Sequence, residues 1–307
     1  MTAMVMTACT GQKAEKAEAT QDNFNYVVDQ FADLQILRYQ VPGFESLSLK
    51  QKQLLYHLSE AALMGRDILF DQNCRYNLPI RRALEAVYIG YKGDRTDPQF
   101  VALETYLKRV WFANGIHHHY GCEKFVPGFT PEFFRQALLS VDAATLPLAE
   151  GQTVEQLYEE VAPVIFDPKV MPKRVNQAAG EDLVLTSACN YYDGVTQQEA
   201  EAFYSAMKDP KDETPVSYGL NSRLVKENGK IQEKVWKVGG LYGAAIGKIV
   251  YWLKKAEGVA ENPEQKAVIA KLIEFYETGD LKTFDDYAIL WVKDLDSRID
   301  FVNGFTE

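Results

Sequence analysis

Three of the chain's four histidines stand side by side, at His117, His118 and His119, within an aromatic stretch from Trp111 to Phe129. Adjacent imidazoles suggest metal ligation, and geometry is the first test of that. On an extended segment side chains alternate, which turns His117 and His119 to one face and His118 to the other. On a helix the three fan apart. Zinc needs three or four converging N, S or O donors, usually spaced as in H-x-x-x-H or C-x-x-C, so the run offers two ligands at best. No metal site is expected here. The backbone offers a second chemistry. Gly121 has no Cβ, so another chain can approach it closely. An extended segment flanked by aromatic residues also makes an edge that a peptide can join as an extra strand. From these residues alone, an aromatic loop that packs the core is the simpler account.

The rest of the chain carries no standard catalytic signature. H-E-x-x-H, G-x-S-x-G, G-x-x-x-x-G-K-[ST] and a post-strand G-x-G-x-x-G are all missing from the sequence. Asp285-Asp286 and Asp294-x-Asp296 read as solvated helix faces, and His57 as a surface residue on the polar side of its helix. Cys9, Cys74, Cys122 and Cys189 are widely spaced, so neither a disulfide framework nor a zinc knuckle is indicated. Small buried thiols are the expectation for them.

These residues need elements to position them. Phe24, Val27, Val28 and Phe31 have helical spacing, which predicts a helix from Phe24 to Tyr39 that Pro42-Gly43 ends. Ser48-x-x-Gln51 is a capping box that opens a helix with Leu54, Leu55, Leu58, Ala61 and Ala62 on one face. Asp97-Pro98 starts the helix that runs into the histidines, and Asn114-Gly115 stops it. Thr130-Pro131 begins a helix to about Val141, and Thr153-x-x-Gln156 a short one. Leu183 to Thr186 reads as a buried strand. Thr196-x-x-Glu199 caps a helix to about Met207. Ser217–Val225 and Ile231–Lys237 flank Asn228-Gly229, a strong hairpin signal. Helical periods then cover Leu241–Ala256, Pro263–Glu277 and Phe284–Asn303. The expected class is α+β, helix-rich, with a small central and mostly antiparallel sheet.

A chain of 307 residues with 47% hydrophobic and 25% charged residues has the composition of a globular protein with a sizeable core. Its net charge of -10, with no basic block, argues against nucleic acid as a partner. No apolar run approaches the ~20 residues of a membrane-spanning helix. Met4 to Cys9 resembles the end of a bacterial lipoprotein signal, and the alanine-rich polar stretch from Thr10 to Asp22 resembles a tether. Residues 1–22 are therefore expected to be a signal remnant and tether, with Cys9 the lipidation site. A cell-envelope location follows from that, and a cytoplasmic one if the likeness is chance.

Four stretches, in order, resemble the N-terminal part of dipeptidyl peptidase III, its bacterial members especially. They are Phe112–Phe129, Asn190–Thr196, Tyr218–Glu227, and Phe284 to Glu307 with its ending Asp300-Phe301-Val302-Asn303-Gly304-Phe305-Thr306-Glu307. The resemblance implies that residues 23–307 form the N-terminal, substrate-binding lobe of a two-lobed zinc exopeptidase that releases dipeptides from short peptides with a free N-terminus. The family's zinc motif, H-E-x-x-G-H, and its E-E-x-x-A-D segment lie in a second, catalytic lobe, and neither occurs in these 307 residues. The resemblance thus implies zinc in the complete protein, none in this chain, no catalytic residue here, and no activity without the other lobe. It assigns His119, Tyr120 and Gly121 to peptide contact, largely through backbone, and Glu307 to the substrate's α-ammonium. Thr306 stands where the family more often has an apolar residue. The alternative from another class is a stand-alone peptide- or solute-binding lipoprotein of the envelope without catalysis.

Overall fold

The structure is a computed structural model that describes residues 24–304. Cys9, the tether and Glu307 lie outside the described residues. The chain divides after Phe44 into two compact units.

In the first unit, β1 (Val27–Phe31) and β2 (Leu34–Leu37) pair antiparallel, from Val27 opposite Leu37 to Phe31 opposite Leu34. The helix expected from Phe24 to Tyr39 is therefore wrong. Ala32, at φ 49°, closes a turn with Asp33, and Leu34-Gln35-Ile36-Leu37 then alternates half-buried and exposed residues with the period of a strand.

The second unit is helical, with its elements set by local caps. Ser48 and Gln51 form the expected capping box on α1 (Leu49–Met64). After α2 (Arg66–Asn73) and α3 (Asn77–Gly90), Asp97 caps α4 (Pro98–Ala113), and Asn114 ends it in the left-handed conformation. Thr130 caps α5 (Pro131–Ser140), and Thr153 with Gln156 boxes α6 (Val154–Phe166). Leu183–Thr186, expected as a strand, is a single helical turn, α7. The Asp182 carboxylate accepts the N–H groups of Val184 and Leu185, and this N-cap decides the conformation of a run too short to declare itself.

The sheet joins β3 (Tyr192–Asp193), β4 (Ser222–Glu227) and β5 (Lys230–Val235), with α8 (Gln197–Ser205) inserted between the first two. The β4–β5 pair is antiparallel, closed by Asn228 and Gly229 at positive φ, whereas β3 runs parallel to β4. Three helices follow: α9 (Gly243–Glu257), α10 (Pro263–Thr278) and α11 (Leu281–Lys293). The last was expected to reach Asn303. It stops at Lys293, and the chain turns so that Ile299 is buried, its N–H donating to Glu261 Oε1 at 2.6 Å and its carbonyl accepting from Gln265 Nε2 at 2.6 Å.

Two cores result. Leu84, Val87, Leu103, Leu107, Phe134 and Leu157 anchor the one built from α3 to α6. Leu54, Ile246, Leu253, Ile269 and Leu272 anchor the one built from α1, α9 and α10. Helix α2 serves both, placing Phe70 in the first and Ile68 in the second. No described helix is long and apolar enough to cross a membrane.

Candidate functional site

The histidine segment begins where α4 stops. Gly115 sits at φ +151°, a conformation that side-chain-bearing residues rarely adopt, and a Cβ there would collide with the Asn77 side chain. Buried Asn77 explains the requirement: its Nδ2 donates to the Phe70 carbonyl at 3.0 Å and its Oδ1 accepts the Ile116 N–H at 3.1 Å. The chain then doubles back. Phe125 N donates to the Ile116 carbonyl, His118 N to Glu123 O at 2.7 Å, and Cys122 N to His118 O at 3.0 Å. The return limb is sewn to residues 172–174 by Lys124 N to Pro172 O and Arg174 N to Cys122 O.

Four side chains lock this turn. Lys124 Nζ donates to the carbonyls of Val164, Asp167 and Val170 at 2.9, 2.5 and 2.5 Å, a cation on the C-terminal end of α6 and the turn after it. Its partial burial lowers its pKa. His117 is buried, with Nε2 2.9 Å from the Met171 carbonyl, and burial brings its pKa down to about 4. Arg174 donates to the His119 carbonyl at 2.8 Å. His118 Nδ1 accepts the N–H groups of Tyr120 at 3.2 Å and Gly121 at 3.0 Å.

The expected alternation of the three imidazoles fails. His118 and His119 stack with ring centroids 4.6 Å apart, and only His117 turns inward. The segment is strand-like at His117 alone, because the chain already reverses at His118. The turn gathers His119, Tyr120 and Gly121 at its tip, where Tyr120 is 86% exposed. The tip is no open strand edge, since the Tyr120 and Gly121 amides point back to His118. The space beside Gly121 holds the Glu123 carboxylate. His57, expected at the surface, is half-buried and stacked on Trp252 at 5.7 Å, and burial, then Lys255, lowers its pKa. Among the three described cysteines, Cys74 is the buried thiol expected, whereas Cys189 is half-buried and Cys122 lies half-buried on the turn; desolvation pushes the Cys74 and Cys189 thiols up to about 11. Among the described residues, no group of three His, Cys, Asp or Glu side chains converges to hold a metal ion.

Beside the turn lies a cleft of about 960 Å³ lined by Phe70, Arg81, Glu85, Trp111, Asn114 and Lys248, among others. Arg81 covers the Phe70 ring at 4.5 Å, and Trp111 Nε1 donates to Glu85 at 2.8 Å. Burial pushes the Asp67 carboxyl up, but Arg81 and Arg82, each 2.9 Å away, hold it below its ordinary value. Asn73 ties cleft to turn: its Nδ2 donates to the Asn114 carbonyl at 3.1 Å and its Oδ1 faces Arg174 at 3.4 Å.

A second polar cluster escaped sequence reasoning. Asp71 Oδ2 accepts from Arg223 Nη2 at 2.6 Å, Tyr242 Oη at 2.5 Å and Asn190 Nδ2 at 3.2 Å. Arg223 also donates to the Asn190 carbonyl at 2.7 Å. Burial raises the Tyr242 pKa well above its ordinary value. This cluster joins two of the stretches that carried the family resemblance, Asn190–Thr196 and Tyr218–Glu227, to α2 and to the residue before α9.

Residues 188–307 match the model of peptidase family M49. A curated dipeptidyl peptidase 3 from Nematostella vectensis is 21% identical to the chain, over 95% of this chain and 45% of that protein. The chain resembles dipeptidyl peptidase III proteins. Solved structures with a similar fold include dipeptidyl peptidase III from Caldithrix abyssi, with a TM-score of 0.50 and 18% identity. That match covers 83% of this chain and 35% of the other. The enzyme from Corallococcus sp. strain EGB gives 0.50 and 14%, over 84% and 35%. The chain thus spans less than half the length of the relatives it matches. The M49 match takes in Asn190, Arg223 and Tyr242, and the alignment to the curated relative reaches the histidine turn as well.

Proposed function

We propose that this chain supplies the peptide-binding face of a zinc-dependent dipeptidyl peptidase, and not its metal. The observation that carries the proposal is the tip at His119, Tyr120 and Gly121, which meets solvent while its backbone is pinned from behind by His118 and Arg174. A rigid tip loses little conformational entropy when a peptide docks on it. The residues present do not fit zinc. His117 faces a backbone carbonyl from within the core, and His118 Nδ1 is engaged by two amides. No hydrolytic step is therefore derived from this chain. Dialysed protein is expected to hold no stoichiometric zinc and to release nothing from a dipeptidyl-arylamide. One tightly held zinc, lost in a His117→Ala/His119→Ala double variant, would overturn this.

Glu307 is proposed as the ruler for the substrate's free N-terminus. An exopeptidase that removes two residues must measure from the α-ammonium, and a carboxylate does so through a charge-assisted hydrogen bond. In a protein that also carries the zinc motif, Glu307→Gln should lower kcat/KM on a free-amine tetrapeptide by about 30-fold to several thousand-fold. A value within about twofold of wild type removes Glu307 from the role. Envelope anchoring through Cys9 is a separate proposal. Fatty-acid labelling should be abolished by Cys9→Ala, and equal soluble protein from both genes counts against it.

A further inference from the structure

We infer that His118 is the positioning residue of the turn, and that only its uncharged imidazole can hold Tyr120 and Gly121 in place. Two consecutive backbone amides converge on one ring nitrogen, at 3.2 and 3.0 Å. Nδ1 must offer them a lone pair, so the ring hydrogen is on Nε2 by this geometry. An imidazolium has donors at both nitrogens and no acceptor. Protonation therefore sets N–H against N–H at Nδ1 and frees both amides at once. Acid that charges this ring should therefore release the tip.

The surroundings of the ring bear on this. His119 stacks on it, and Arg109, Glu123 and Lys124 line the hollow of about 360 Å³ at its other side. Arg174 reaches the His119 carbonyl from behind. Three of these groups are cations and disfavour a second charge, while the Glu123 carboxylate favours it. Burial, with His118 and Arg174 as further causes, lowers the His119 pKa. The Lys124 and Arg174 contacts to backbone carbonyls do not depend on the imidazole. Release is thus confined to the tip, and the limbs stay paired.

The consequence for peptides rests on the proposed contact at residues 119–121: affinity should fall as the tip is released. The test uses the whole chain, labelled with ¹⁵N-glycine and ¹⁵N-tyrosine, and reads hydrogen-exchange protection factors at pH 8 and pH 5. Protection of the Gly121 amide should drop about tenfold on acidification, the scale of one lost hydrogen bond. His118→Asn places a carbonyl oxygen near the Nδ1 position and cannot titrate, so protection should persist at both pH values. His118→Ala should lack it at both. Gly240 and Gly279, whose amides donate to the Lys237 and Phe275 carbonyls, serve as controls that the fold is intact, and the wild-type pH series needs no variant. Equal protection in wild type and His118→Ala, or a pH dependence that survives in His118→Asn, overturns the inference. Adding a free-amine tetrapeptide separates the two claims. If exchange behaves as expected but peptide affinity is the same for wild type and His118→Ala, the positioning role stands and the peptide contact falls.

Discussion

The Asn228-Gly229 turn and the His118–Cys122 turn each reverse an antiparallel pair, but different forces shape them. At Asn228-Gly229 both residues take positive φ, and nothing lies within 4 Å of where a Gly229 Cβ would stand. Two residues suited to a type I′ turn are enough there. The histidine turn has no such local preference. Its base depends on Asn77, which lies 39 residues before Ile116, and its return limb on carbonyls up to 46 residues beyond Lys124. Its tip depends on the His118 ring. A hairpin needs only to reverse. A tip that must present three residues in one conformation needs support from several elements, and this difference is the ground for proposing the second turn as the peptide-binding one.

The sharpest way to break the comparison is at the glycines. Gly115→Ala should cost about 3–5 kcal/mol, because it combines backbone strain with a collision against buried Asn77. Gly229→Ala should cost only about 1 kcal/mol, from its φ alone. Urea denaturation of both variants measures the pair, and equal losses would remove the distinction between the turns.

The lysines come next. Lys124→Met leaves three carbonyls without their cation and should cost about 3 kcal/mol. Lys226, near the end of the central strand β4 and paired with Glu199 at a partly exposed site, should cost about 0.5 kcal/mol when changed to Met. Urea midpoints check this too, and a larger loss for Lys226→Met contradicts it.

What local chemistry decides was legible in the sequence. The capping boxes at Ser48, Thr153 and Thr196, the Asp97-Pro98 start, the Asn114 stop and the Asn-Gly hairpin all stand where their residue types put them. The failures share a cause. Phe24–Tyr39 and Leu183–Thr186 are short apolar runs whose period fits more than one element, so a turn and a cap decided them. The end of α11 was decided by Glu261, which takes the Ile299 N–H from 38 residues away. In the site, the tip residues were visible but not what holds them. No local pattern links Asp71 to Arg223, 152 residues on, and nothing in His117-His118-His119 says which ring turns inward. The family resemblance pointed to the tip; only the fold supplied its supports.

The pH dependence sharpens the role of His117. Its folded pKa of about 4 lies below the ~6.5 of an unfolded histidine, so the unfolded chain binds more protons between those values. Stability is then lost as pH falls through that window, by about 2 kcal/mol between pH 7 and pH 5. His117→Asn should flatten that slope even if it lowers stability at pH 7. An undiminished slope in the variant would mean that the acid sensitivity comes from other groups.

The central claim is that the histidine turn, and not the Asn-Gly turn, receives the peptide. Hydrogen exchange read by mass spectrometry, on the whole chain at pH 8 with a free-amine tetrapeptide at increasing concentration, tests it directly. Exchange should slow across residues 117–125 and stay unchanged across 226–231, with a weaker effect from the N-acetylated peptide. Slowing at 226–231 alone, or none at 117–125 once the peptide is bound, would contradict it.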